Sequence, residues 1–129
     1  MKAYWDSSAL VEAALSPQLL RRLQSEGAFT RPHTLAETFS TLTGNPASRI
    51  DAADAAAILE RLSKRLEFVD LSGPETLQAL KQARQKGVRV GRVHDYLHAV
   101  AAEKSGAQII LTLDKNDFTD HTRLTIEQA

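Results

Sequence analysis

Strand and helix signals alternate along the whole chain. They predict an α/β protein: a three-layer sandwich with a central, mostly parallel sheet of four to five strands flanked by helices. Three observations carry this prediction. Short β-rich runs recur between amphipathic stretches of helical length. The run QIILTL, residues 108–113, is apolar without polar alternation, as expected for a strand buried on both faces. Pro17 and Pro74 open helical stretches, and Gly27, Gly87 and Gly106 close them, matching the preference for Pro at helix starts and Gly just past helix ends.

In chain order, KAYWD (2–6) reads as an opening strand ending at Asp6. Ser7 and Ser8 are candidate caps for a helix through ALVEAAL. PQLLRRLQSEG (17–27) is a second helix and AFTR a second strand. Thr34 is a candidate cap for LAETFSTLTG, whose Leu35, Ala36, Phe39 and Leu42 form an apolar stripe. Asp51 caps AADAAAILERLSKRL, with Ile58, Leu59, Leu62 and Leu66 on one face. EFVDL (67–71) is a third strand. Helices follow through PETLQALKQARQKG (74–87) and VHDYLHAVAAEKSG (93–106). QIILTL is the fourth strand and TRLTI (122–126) a fifth. Tyr4 and Trp5, on the first strand, are core candidates.

Composition bounds the function. The 129 residues suit one domain, 1–129, and 43% hydrophobic content supports a packed core. No apolar run approaches the ~18 residues of a membrane span. Asp6 interrupts the N-terminal stretch before a signal-peptide layout can form. The absence of cysteine excludes disulfides, thiolate metal sites and a cysteine nucleophile, and is compatible with a reducing cytoplasm. With zero net charge, phosphate binding must come from a local patch.

In open α/β sheets, sites lie beyond the carboxyl ends of the strands. Asp6 and Asp114 each follow a strand directly, so the fold carries both to one edge. Glu37, early in the helix after the second strand, and Asp95, early in the helix before the fourth, point to the same edge. Each has an ordinary structural alternative: acids favour first helical turns, and Asp114 and Asp117 suit a turn. Asp95 shares a face with Ala99 and Ala102, so its head is expected to be partly buried, answered by a cap, an arginine or a cation. Two carboxylates about 4 Å apart repel by ~4 kcal/mol at an effective dielectric of 20, so converging acids must protonate or take a cation. Oxygen-only ligands favour Mg²⁺ or Mn²⁺ over Zn²⁺, an arrangement suited to phosphodiester hydrolysis.

Asp6 in D-S-S-A-L, Glu37 in L-A-E-T-F, Asp95 in D-Y-L-H-A, and Asp114 and Asp117 in L-T-L-D-K-N-D-F together resemble a PIN domain, and within that family the VapC-type toxin ribonucleases. The resemblance spans essentially the whole chain. It implies a parallel sheet sandwiched by helices, Mg²⁺- or Mn²⁺-dependent cleavage of single-stranded RNA, a homodimer, and an antitoxin protein that blocks the site. It assigns catalysis to Asp6, Glu37, Asp95 and Asp114, and metal binding to Asp6, Asp95 and Asp114. Asp117 is the alternative fourth acid or a turn residue. Thr112 matches a supporting polar position, and Ser7 or Ser8 supports Asp6 or serves as a helix cap. The implied mechanism is in-line attack on phosphorus by a water oriented by Asp6 or Asp95, with a 3′-hydroxyl leaving.

Arg31, Arg49, Arg89 and Arg92 lie in or beside loops. KQARQKGVRVGR precedes Asp95 and could bring Arg89 and Arg92 to substrate phosphates, or form a solvated loop after a helix C-terminus. Three other readings compete. His94 and His98, at i and i+4, imitate the H-E-x-x-H signature of zinc hydrolases, although Asp95 stands in for the Glu and no third ligand is evident. A non-catalytic module binding a partner and DNA is another. A phospho-acceptor receiver domain would want adjacent acids after the first strand and a Lys after the fifth, and has neither here.

Overall fold

A computed structural model describes residues 1–47, 49–88, 92–119 and 121–129. Its five strands are β1 (Ala3–Trp5), β2 (Ala28–Thr30), β3 (Leu66–Phe68), β4 (Ile109–Thr112) and β5 (Thr125–Gln128). They form one sheet in the order β3-β2-β1-β4-β5, with every pairing parallel. The helices are α1 (Ser7–Leu15), α2 (Pro17–Glu26), α3 (Pro32–Gly44), α4 (Ala52–Ser63), α5 (Gly73–Gln82) and α6 (Val93–Ser105), with a 3₁₀ turn at Lys115–Asp117. The expected α/β sandwich with a parallel central sheet is what the chain forms.

Side-chain alternation along the central strands builds two cores. Ala3 and Trp5 of β1 and Leu111 of β4 pack with Ala9, Leu10 and Ala13 of α1, Leu23 of α2, and Leu59 and Leu62 of α4. Tyr4 and Ile110 face the other way, against Ala99, Ala101 and Ala102 of α6 and Phe118. The small alanine face of α6 allows close approach to the sheet. Tyr4 and Trp5 are fully buried, as their place on the first strand leads one to expect.

Several element boundaries differ from the sequence expectation. Asp6 itself caps α1, its carboxylate accepting from the Ala9 N–H, and Ser7 and Ser8 lie inside the helix. A carboxylate in β-conformation directly before a helix competes well for that position. Helix α3 starts at Pro32, ahead of Thr34. Its buried positions are therefore Thr34, Thr38 and Leu42, while Ala36 is exposed. The Thr38 hydroxyl is satisfied by donating to the Thr34 carbonyl (2.8 Å). Asp51 caps α4 as expected, but the helix ends at Ser63 and Leu66 begins β3. Helix α5 begins at Gly73, with a reciprocal cap between Ser72 and Glu75, and ends at Gln82, short of Gly87. Strand β5 runs to Gln128, two residues beyond TRLTI.

The strand order places the site. From β1 the chain moves outward through β2 to β3, then returns to lay β4 on the opposite side of β1. The crevice between the carboxyl ends of β1 and β4 is thus the point where the connections diverge, the usual ligand position in such sheets. Trp5 pairs with Leu111, so the next residues, Asp6 and Thr112, emerge side by side.

Candidate active site

Asp6 sits at the centre of this edge and is only 6% exposed. Its Oδ1 accepts from the Ser8 hydroxyl (2.6 Å) and the Ala9 N–H (3.1 Å), and its Oδ2 accepts from the Thr112 hydroxyl (2.6 Å). Three donors satisfy a nearly buried carboxylate and fix its orientation. Thr112, expected to support the site, is hydrogen-bonded to Asp6. Ser8, rather than Ser7, is the serine that binds Asp6. The Ser8 hydroxyl oxygen also accepts from the Leu113 N–H (2.9 Å), and the Thr112 oxygen accepts from the Asp114 N–H (3.1 Å).

Asp95 lies in the first turn of α6 and is half-buried. Burial pushes its carboxyl up, and the charges of Asp117 and Asp6 push it further, to about 6, against the opposing charges of His98 and Arg92. Burial, then the charge of Asp114, also raises the Asp117 carboxyl, with Asp6 contributing and Arg92 opposing. The acids of the strand edge therefore feel one another.

The loop after β4 separates the two candidate fourth acids. Asp114 caps the 3₁₀ turn, accepting from the Asn116 N–H (3.2 Å), and is exposed. Asp117 ends that turn, and the fully buried Phe118 anchors the backbone just after it. Asp117 is the acid whose charge reaches Asp95. Arg92 donates to Asp117 Oδ1 (2.9 Å), so the cation expected to meet substrate is here a counter-charge to an acid. Arg89 lies outside the described residues. Arg31 pairs with Asp70 (3.2 Å), and its charge also reaches Glu37.

Glu37, on α3, is joined to α6 through His98. Its Oε1 accepts from His98 Nε2 (2.7 Å), and His98 Nδ1 lies 2.7 Å from the Tyr4 hydroxyl. Burial pushes the Glu37 carboxyl up, but the His98 hydrogen bond and the charges of His98, His33 and Arg31 outweigh it and hold the group below its ordinary range. His98 is buried, not a flanking polar residue, and both its ring nitrogens are engaged. His94 is exposed and stacks on His33 (centroids 6.4 Å apart). The pair therefore does not offer the two free nitrogens a zinc hydrolase needs. Asp95, His98, Ala99 and Ala102 stand at i, i+3, i+4 and i+7, so the sequence carried a signal for a buried His98 that the i, i+4 histidine spacing obscured.

Among the described residues, no three His, Asp or Glu side chains stand close enough together to hold a metal ion. The donor chemistry nevertheless fits a hard divalent cation. The acids carry only oxygen ligands, and Asp95 and Asp117 are raised by burial and by neighbouring carboxylates, opposed by Arg92 and, at Asp95, by His98.

The PIN domain family model matches residues 3–124. Among solved structures, the chain is similar to VapBC2 from Rickettsia felis bound to a DNA fragment from their promoter, at 19% identity and a TM-score of 0.73, covering 100% of this chain and 99% of that one. It is also similar to VapBC-1 from nontypeable Haemophilus influenzae, at 15% identity and a TM-score of 0.68, covering 99% and 98%. A third is VapC20 from Mycobacterium tuberculosis, a toxin that cleaves the sarcin-ricin loop, at 21% identity and a TM-score of 0.64, covering 90% and 92%. Compared with the curated proteins, the sequence matches none. With the sheet order, the acids at the divergence point and a family match over nearly its full length, this chain belongs to the PIN domain family.

Proposed function

We propose that this chain is a Mg²⁺- or Mn²⁺-dependent endoribonuclease that cleaves single-stranded RNA, and the toxin of a toxin–antitoxin pair. The observation that carries this reading is the mutual influence of Asp6, Asp95 and Asp117 at the crevice between β1 and β4. An acid cluster kept at a cost in repulsion suits a cation and a phosphodiester.

Asp6, Asp95 and one of Asp114 and Asp117 would hold the ion, and the coupling of Asp117 to Asp95 favours Asp117. When bound, the ion would neutralise phosphate charge and acidify a water. The chain's own residues do the rest. Ser8, Thr112 and the Ala9 N–H fix Asp6 so that it does not reorient during reaction. Asp95, whose carboxyl is raised by burial and by the charges of Asp117 and Asp6, would be relieved of that repulsion by the ion and would orient the attacking water. Glu37, ionised and fixed on one oxygen, offers a second acceptor. Arg92, paired with Asp117, would be freed for a substrate phosphate once another cation answers that acid, and Arg89 would join it.

The Rickettsia felis and Haemophilus influenzae structures are of VapBC assemblies, which supports an antitoxin protein as partner here. A homodimer and a cytoplasmic location complete the reading. Among the described residues, no helix is long and apolar enough to cross a membrane.

The test is cleavage of mixed-sequence single-stranded RNA by wild type, Asp6→Asn and Asp95→Asn, each with Mg²⁺, Mn²⁺ or EDTA. Metal-dependent cleavage that both substitutions abolish is expected. Cleavage that survives in EDTA, or in both folded variants, rejects the assignment. A folded wild type that cuts nothing but binds RNA would favour the non-catalytic module.

A further inference from the structure

We propose that His98 is a positioning residue for Glu37: held from behind by the Tyr4 hydroxyl, its Nε2 fixes Glu37 Oε1 and leaves Oε2 as the oxygen free to act at the site. This role rests on the nuclease reading above and adds a residue to it.

The geometry is a chain of two short contacts through a nearly buried ring, Tyr4 Oη to His98 Nδ1 and His98 Nε2 to Glu37 Oε1, each 2.7 Å. Its far end is rigid. Tyr4 is in the central strand, fully buried, and packs with Ile110, Ala99 and Phe118. Its near end is held less tightly: Glu37 is partly exposed, and its Oε2 makes only a 3.9 Å ion pair with His33 Nε2, longer than a hydrogen bond. A glutamate reaching from a helix has three side-chain torsions to fix, and a short bond from a buried ring fixes them.

The chemistry sets the direction of each bond. An ionised carboxylate only accepts, so Nε2 carries the hydrogen and donates to Glu37. In the neutral ring Nδ1 is then the acceptor for the Tyr4 hydroxyl, and in the imidazolium both ring nitrogens donate. Burial drives the Tyr4 hydroxyl well above its ordinary range, so that group keeps its proton at any working pH. In either form Nε2 faces Glu37 as a donor, and Tyr4 holds the ring from the core side. The order matters functionally, because the reversed tautomer would set a bare nitrogen lone pair against the carboxylate and push Glu37 away.

Placement on α6 adds a consequence. His98 lies one turn after Asp95 on the same helix, so the helix that carries one acid also sets the orientation of another. Glu37 comes from α3, on the β2 side. His98 ties Glu37 directly to the helix bearing Asp95.

The test combines kinetics on single-stranded RNA with ¹⁵N-histidine NMR of the full chain without metal, for wild type, Tyr4→Phe, His98→Gln and His98→Leu. In wild type a hydrogen is expected on His98 Nε2, and Tyr4→Phe, which keeps the Glu37 acceptor but removes the support behind the ring, is expected to keep it there and to lower kcat. His98→Leu is expected to lower kcat by roughly 10- to 100-fold, the loss typical of misplaced catalytic groups, with KM little changed. His98→Gln, whose terminal amide can replace Nε2 as a donor, should recover part of that loss. A hydrogen on Nδ1 with a bare Nε2 in wild type overturns the proposal. So does a folded His98→Leu protein with wild-type kcat while wild type cleaves RNA. If wild type cleaves no RNA, the nuclease reading falls and this role falls with it, a result distinct from the other two. Should His98→Leu fail to fold, Tyr4→Phe decides alone: an unchanged kcat rejects the relay.

Discussion

The Thr112 hydroxyl donates to Asp6 Oδ2 across 2.6 Å, joining the residue that ends β4 to the one that follows β1. Both are nearly buried, and the same Thr112 oxygen accepts from the Asp114 N–H. One threonine thus connects the central acid to the loop that carries Asp114 and Asp117. Thr112→Val keeps the shape and removes the hydroxyl, leaving a buried carboxylate oxygen without its donor. A loss of about 1–3 kcal/mol is expected, read as a lower urea midpoint with an unchanged slope. Thr112→Ser should restore most of it. A Val variant as stable as wild type would show that the hydroxyl does not hold Asp6.

Asp95 gives a pH signature. Its folded-state carboxyl, near 6, lies above the ordinary value of 3.8. Between those values the folded protein binds more protons than the unfolded chain, so the contribution to stability is present below about pH 4 and is lost as pH rises through 6. In EDTA, Asp95→Asn should flatten that slope and stabilise the protein at pH 7. The gain is roughly 1–2 kcal/mol once partial solvent exposure is discounted. Chemical denaturation at pH 4 and pH 7 measures it. An Asn variant no more stable than wild type at pH 7 would contradict the burial and repulsion assigned to Asp95.

A cation that relieves this repulsion should bind the folded state selectively. Mn²⁺ at a hundredfold its dissociation constant is expected to add about 2.7 kcal/mol, a rise in Tm of several degrees. EDTA should reverse it. Asp6→Asn and Asp95→Asn should each lose most of the shift, whereas Glu75→Gln, at the cap of α5, should keep it. Equal shifts in all four proteins would place the metal elsewhere.

Phe118 couples the core to the acid loop. It is fully buried beside Tyr4 and Ile110, directly after Asp117. Phe118→Ala should cost about 3–5 kcal/mol. Phe118→Leu should cost less and still loosen the turn. Because the turn carries Asp117, metal affinity measured by calorimetry should fall in Phe118→Leu while the fold persists. Unchanged affinity would separate Asp117 from the metal.

Much of this molecule is legible in local sequence. Apolar runs such as IILT and the small face of α6 specify a parallel sheet covered by helices, because a strand buried on both sides needs no polar alternation. Asp6, Asp95, Asp114 and Asp117, just past strands or at a helix start, come within electrostatic reach of one another for the same topological reason. Helix starts were less legible, because Asp6, Ser7 and Ser8 are all good caps, and only the packed geometry selects among them. Long-range relations were not legible at all. The partnership of Thr112 with Asp6 depends on strand register. The coupling of Asp117 to Asp95 and its pairing with Arg92 depend on how a loop folds back. The line from Tyr4 through His98 to Glu37 joins three elements far apart in the chain. Each is a contact between side chains whose meeting is set by packing, and periodicity within a single segment carries no record of it.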